Sequence, residues 1–252
     1  FLNSRSNVRL IPLQAYVGCD RYERFRIREL STRDPAFRPA LKVLREQIPI
    51  PGRVASEQAF RLALAYRSPE CRYHLWALSG RSRRIDGVAS FFTLRPAGFG
   101  GYIVLKGPLK GKGLLRLLIA SMERQMIDDA FGSQGWFIEC DDESAAPFVK
   151  CGFLEVCVDY CPPRVGTRAS GAEQLKLLYK PFGVPYEAPQ ITRRFVLDAI
   201  SAFLKRVYGV SAPRTHHCYK RARKTLGVDA EGNVVWADLL ERYGESASGR
   251  TA

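Results

Sequence analysis

A chain of 252 residues with 46% hydrophobic side chains can bury a sizeable core, as one large domain or as one typical domain with extensions, which excludes a disordered or fibrous protein. No apolar run reaches the roughly 18 residues that a helical membrane span needs, and runs such as 114–120 are broken by arginine. The formal charge of +14 favours polyanionic partners: CoA-type nucleotides, nucleic acid, acidic carrier proteins or anionic lipid heads.

Residues 24–30, Arg-Phe-Arg-Ile-Arg-Glu-Leu, alternate charged and apolar side chains with period two, which predicts a strand with one buried face. Asp34-Pro35 precedes Phe37, Leu41, Val43, Leu44 and Ile48, a helical spacing that stops at Pro49 and Pro51. A second helix starts at an N-cap Ser56 and runs through Phe60, Leu62, Leu64 and Tyr66 to Ser68-Pro69. Strands over 73–78 and 85–94 follow, joined as a hairpin by residues 79–84. Pro96-Ala-Gly-Phe-Gly-Gly101 reads as a loop by composition, before a short apolar strand, Tyr102 to Leu105.

Lys110-Gly111-Lys112-Gly113-Leu114-Leu115 then opens a long helix whose stripe is Leu114, Leu115, Leu118, Ile119, Met122 and Met126. A glycine-rich turn between a strand and a helix start gathers unpaired backbone N–H groups at the positive end of the helix dipole, where phosphate binds. Glycines 111 and 113 let a diphosphate approach the backbone, and Lys110 and Lys112 supply charge. The spacing does not fit GxxxxGK[ST] or GxGxxG, which sets aside P-loop and dinucleotide-binding readings. Beyond Gly132 and Gly135 comes a buried strand, residues 136–140, and the acidic loop Asp141-Asp142-Glu143. Ser144 then caps a short helix that ends at Cys151-Gly152-Phe153. Strands over 153–160 and 174–180 finish the sheet.

This order of elements, together with Lys110-Gly-Lys-Gly113 and Ala145-Ala-Pro-Phe-Val-Lys-Cys-Gly-Phe153, resembles the GNAT acetyltransferase superfamily over residues 22–182. The first motif is similar to that family's Arg/Gln-x-x-Gly-x-Gly/Ala acyl-CoA signature, the second to its later helix ending in Lys-x-Gly-Phe. The resemblance implies an α/β (α+β) fold: a mixed, mostly antiparallel central sheet flanked by helices, plus a helical C-terminal extension. The expected parts are a segment 1–21, an acyltransferase domain 22–182 and an extension 183–252. The implied chemistry is acyl transfer from acetyl-CoA, or another acyl-CoA, to an amine by direct attack, with no metal. Backbone groups near Leu105 and Lys106 would take pantetheine and the carbonyl oxygen. Lys110 to Leu115 would cradle the diphosphate. Three positions depart from the family pattern: Leu115 stands where Gly or Ala is usual, Ser144 where Asn is common, and Phe148 where many relatives have a tyrosine that protonates the cofactor thiol. A phenylalanine has no proton to give, but a leaving thiol with a pKa of about 8.5 tolerates that loss.

Glu139 is the first candidate general base, with Asp141, Asp142 and Glu143 behind it, and Tyr160, less so Tyr102, can replace the missing acid. The plainer reading of Glu139 is the polar face of a half-buried strand, and that of Tyr160 a core tyrosine. Cys140 and Cys151 read as small buried residues, without a histidine near in sequence. The seven cysteines lack CxxC spacing and no signal-peptide pattern opens the chain, so the expected setting is the cytoplasm. Residues 1–110 carry 20 Lys/Arg against 8 Asp/Glu, 111–186 carry 8 against 10, and 187–252 carry 11 against 7, so the basic excess lies outside the central segment.

In the extension, 181–189 reads as a linker, 191–207 as an amphipathic helix, 214–224 as a solvated basic run and 229–233 as a hairpin turn. His216, His217 and Cys218 are too close together to form a zinc tetrahedron on their own. The extension is expected to cover the acceptor groove, complete a homodimer or recognise a larger substrate. Three functional readings follow: an N-acetyltransferase acting on an amine, an acyltransferase acting on nucleic acid or an acidic carrier protein, and a non-catalytic CoA-binding module.

Overall fold

The structure, a computed structural model, describes residues 10–11, 25–80, 84–110, 113–129, 131–163, 173–182, 191–227 and 239–240. Its strands are β1 (Leu10–Ile11), β2 (Arg26–Glu29), β3 (Arg67–Ser68), β4 (Cys71–Ser79), β5 (Ile85–Leu94), β6 (Gly98–Leu105), β7 (Gly135–Cys140), β8 (Leu154–Val156), β9 (Lys176–Pro181) and β10 (Leu239–Leu240). They form one sheet in the order β1-β2-β4-β5-β6-β7-β9-β8-β10, with β3 paired to β4. Every pairing is antiparallel except β6 with β7. The helices are α1 (Phe37–Gln47), α2 (Glu57–Ala65), α3 (Leu114–Asp128), α4 (Asp142–Val149), α5 (Arg193–Arg206) and α6 (His217–Leu226).

Local chemistry sets the helix starts. Ser56 caps α2 by accepting from the Ala59 N–H, and Thr192 caps α5 by accepting from the Phe195 N–H. Gly113, at φ +77°, opens α3 from a left-handed conformation that suits glycine. The predicted cap of α4 needs correction. Asp141, not Ser144, is the N-cap, and its carboxylate accepts from the Ser144 N–H at 3.0 Å, so the helix starts at Asp142. The carboxylate is also the better match to the positive end of the helix.

Strand alternation divides the core. Tyr73, Leu75 and Ala77 of β4, with Val88 and Val104, face α1 and α2. Phe99 of β6, Phe137 of β7 and Tyr179 of β9 pack with Val196, Ile200 and Phe203 of α5. Trp76, Phe91, Trp136 and Ile138 take the opposite parity and meet Leu118, Met122 and Met126 of α3. α1 and α2 thus cover one half of a sheet face, α5 and α6 the other half, and α3 and α4 the reverse face. Each fully buried Phe, Ile or Leu in these layers contributes about 1.5–3 kcal/mol of transfer free energy.

The stretch 96–101, expected as a loop, is instead largely strand: β6 starts at Gly98. Its glycines answer to close neighbours rather than to a turn. A Cβ on Gly98 would lie 2.5 Å from the Met126 sulfur, one on Gly100 2.6 Å from Ile138 Cγ2, and one on Gly101 2.7 Å from Ser90 Oγ. The strand expected over 153–160 reduces to β8, with Tyr160 joined to Leu175 by an isolated bridge before the donor-less Pro162-Pro163. Most of the basic run 214–224 falls in a helix, α6, which extends to Leu226, buries Cys218, Tyr219, Ala222 and Leu226 and is capped by the His216 ring. The expected turn at 229–233 and most of the 181–189 linker lie outside the described residues.

Candidate active site

β6 and β7 run side by side for three pairs, Gly98 with Trp136, Phe99 with Phe137 and Gly100 with Ile138, and then separate. Beyond that point β6 stays in register with β5, through Ile103, Val104 and Leu105, while β7 stays with β9 through Glu139 and Cys140. The cause is a bulge in β6 opposite Ser90, whose hydroxyl accepts from the Tyr102 N–H at 2.9 Å. Bulges bend a strand and increase its twist. The result is a splay in which, among the described residues, no strand pairs with β6 on its β7 side beyond Gly100. The Lys106 N–H donates to Asp86 O at 2.9 Å, so strand alternation turns Val104 toward β5 as well, and Ile103 and Leu105 toward the splay.

A cavity of about 380 Å³ occupies the splay. Lys110, Ser144 and Phe148 line it where α4 covers the sheet, and Gln47, Arg53 and Tyr208 line it on the α1 and α5 side. It therefore connects the two faces of the sheet between β6 and β7. Tyr102 fixes its roof: its hydroxyl accepts from the Ala55 N–H and donates to Arg53 O, both at 3.0 Å, which pins the loop between α1 and α2. From that loop Arg53 forms ion pairs with Asp141, at 2.9 Å, and with Glu173.

Glu139 stands in the wall, on the same face of β7 as Phe137. Its Oε2 accepts from the Tyr160 hydroxyl at 3.0 Å and its Oε1 from the Tyr208 hydroxyl. Burial pushes its pKa up to about 7; the two phenols oppose that shift and the neighbouring Glu173 charge adds to it. As a residue Glu139 is half-buried, and it lines the cavity, which suits a base that must be reached by substrate. Tyr160 is fully buried behind it, off the lining.

Of the other residues singled out from sequence, Leu105, Lys110, Ser144 and Phe148 line the cavity. Lys106, Gly113, Leu114 and Leu115 do not, and Leu114 is buried in the core. Gly111 and Lys112 lie outside the described residues. Asp141 is engaged as helix cap and ion pair. Burial pushes the Cys140 thiol up to about 12 and raises that of Cys151, so neither is disposed to act as a thiolate nucleophile. Sequence reasoning missed Tyr208, Arg53 and Glu173. Tyr208 and Gly209 follow the predicted 191–207 helix, a tyrosine at a helix end, and that was the available signal.

No protein-family model and no curated protein matches the chain. Solved structures do. A putative acetyltransferase of the GNAT family from Bacteroides thetaiotaomicron superposes with a TM-score of 0.51 at 11% identity, covering 74% of this chain and 99% of that one. A probable acetyltransferase from Staphylococcus epidermidis gives a TM-score of 0.49 at 10% identity over 63% of this chain and 99% of that one. The ribosomal-protein-S18-alanine N-acetyltransferase from Escherichia coli gives 0.47 at 18% identity over 66% of this chain and 99% of that one. A mostly antiparallel sheet with one parallel pair, splayed at the cavity, and the likeness to the first of these structures lead to one conclusion: the chain has the fold of the GNAT acetyltransferases.

Proposed function

We propose that the protein is an acyl-CoA-dependent N-acyltransferase that passes an acetyl group from acetyl-CoA to an amine. The observation that carries the reading is Glu139, a carboxylate with a pKa raised to about 7, in the wall of a cavity that joins the two sheet faces through the β6–β7 splay. The thioester would enter along β6, where the backbone groups of Ile103 and Leu105, turned away from β5, would meet the pantetheine amides and the carbonyl oxygen. Lys110 and the start of α3 would meet the phosphates. The acceptor would enter from the α1–α2 side.

In the reaction the amine nitrogen attacks the thioester carbonyl carbon and forms the C–N bond. Glu139 takes the proton that the nitrogen loses, directly or through one water. The C–S bond then breaks and its electron pair leaves with sulfur, giving the amide and CoA. With Phe148 at the usual acid position, the thiolate leaves unprotonated or takes its proton from solvent. Addition of acetyl-CoA at 100 times its Kd should stabilise the protein by about 2.7 kcal/mol. Thermal unfolding unchanged at millimolar acetyl-CoA would overturn the reading.

A second reading, in which the amine is carried by a polyanion, draws on α6. Lys220 and Lys224 are exposed there, and Arg221 pairs with Asp159 and Gln174 next to Glu173 of the cavity. RNA binding that weakens steeply with added salt is its signature. Binding indifferent to salt would contradict it.

A further inference from the structure

Phe203 of α5 packs against both strands at the last stretch where they are still paired. Its ring centroid is 4.6 Å from Phe99 and 5.6 Å from Phe137, which are direct partners across β6 and β7. One helical side chain therefore covers the closed end of the splay. The end of the same helix enters the open part. The N–H groups of Val207 and Tyr208 both donate to Phe203 O, at 2.9 and 3.1 Å, and the Val210 N–H donates to Leu204 O at 2.8 Å. Gly209, at φ +70°, completes the stop. Tyr208 is fixed by these bonds and by an edge contact with Phe99, and its hydroxyl reaches Glu139 Oε1 in the cavity wall.

The surroundings of Glu139 explain why that hydroxyl matters. Glu173, ahead of β9, repels its charge, while Arg53 from the α1–α2 loop is occupied by Glu173 and Asp141. Tyr102 of β6 has its hydroxyl committed to the backbone of residues 53 and 55. The thiols of Cys140 on β7 and Cys218 on α6 are held neutral by burial. Among the described residues, the hydrogen bonds to the Glu139 carboxylate come from Tyr160 and Tyr208. One hydroxyl on each oxygen leaves each oxygen a further lone pair for an incoming proton. Tyr160 is locked in the core by the Tyr160–Leu175 bridge, whereas Tyr208 lines the cavity.

We propose that Tyr208 is a positioning residue of the acyl-transfer site: α5 delivers its hydroxyl to Glu139, aims the carboxylate across the splay and stabilises its charged form. The inference rests on the reading of Glu139 as the base. It makes α5, which follows β9 of the acyltransferase-like sheet in sequence, a working part of the site rather than an appended helix.

Tyr208→Phe keeps the ring and its packing and removes the hydroxyl. Carbon-13 titration of the Glu139 carboxylate in the full chain, assigned with Glu139→Gln, reads the effect directly. Loss of a donor to the charged form should move the Glu139 midpoint up by about one pH unit, a tenfold loss of the basic form on the acid side. The acid limb of kcat/KM should move by the same amount, with KM for acetyl-CoA within about twofold of the parent. An unchanged midpoint, or a limb that stays in place, would overturn the proposal. A shifted carboxylate with no acyl transfer at any pH would establish the coupling and remove the acyltransferase reading instead.

Discussion

Two carboxylates tied into the same sheet respond to enclosure in opposite ways. Asp129, at the end of α3, has a side chain only 1% exposed. Burial alone would raise its pKa, yet His74 and Thr93, then Arg72, hold it down at about 2. Its partners are close: His74 Nε2 at 2.8 Å, Arg72 at 2.7 Å, the Thr93 hydroxyl at 2.6 Å and the Gln125 amide at 3.1 Å. Glu139 has two neutral phenols and a repelling carboxylate in place of an arginine and a histidine whose pKa is raised, and it stands near 7. The identity of the partner, rather than enclosure, decides the charge state. Asp129 is a fastener, joining α3 to β4 and β5. Glu139 keeps proton affinity in the range where a base can work.

Substitutions can break this contrast from either side. Glu139→Gln should lower kcat/KM by about 10²–10⁴ if the residue is the base. Its folded pKa lies above the unfolded value, so the folded state of the parent holds a proton that the unfolded chain releases, and stability falls as pH rises from about 4.5 to 7. The variant should therefore unfold at a higher temperature than the parent at pH 8, with the gap closing by pH 4.5. Asp129→Ala leaves His74 and Arg72 without their shared counter-charge and should cost about 3–5 kcal/mol, read from urea midpoints.

The pH dependence of the fastener sharpens the contrast further. The Asp129 contribution is present above about pH 4 and is lost as pH falls toward 2. His74 is desolvated by burial, but Asp129 and Glu29 outweigh that and raise its pKa. Its contribution is complete below the unfolded value of about 6.5 and is lost as pH rises through the folded one. Unfolding free energies of Glu139→Gln from pH 2 to 9 should rise first and then decline. A flat profile would contradict the assignment. Gly209→Ala is the mildest test: an alanine at φ +70° should cost about 1 kcal/mol and, through Tyr208, shift the acid limb of activity without abolishing it.

Regular patterns carried much of this architecture in the sequence. β5 spans the expected 85–94, and the apolar stripe of α3 packs on the sheet as its spacing implied. Reading failed where long-range contact overrides composition. Gly98, Gly100 and Gly101 look like loop residues and are strand residues pressed by Met126, Ile138 and Ser90. α6 reads as a basic run because its four buried positions are small or lie among cations. In the site, Glu139 was legible as a polar residue within an apolar strand. Tyr208 was legible only as a tyrosine at the end of a predicted helix; its place beside Glu139 was not, since 69 residues separate them and the docking of α5 brings them together.

The claim that the β6–β7 splay is an acyl-CoA site is tested most directly by the crystal structure of the protein grown with CoA. Pantetheine density along Ile103 to Leu105, with the sulfur in the cavity beside Glu139 and the phosphates near Lys110, is the expected result. An empty splay at saturating CoA, or CoA ordered on another surface, would contradict the account.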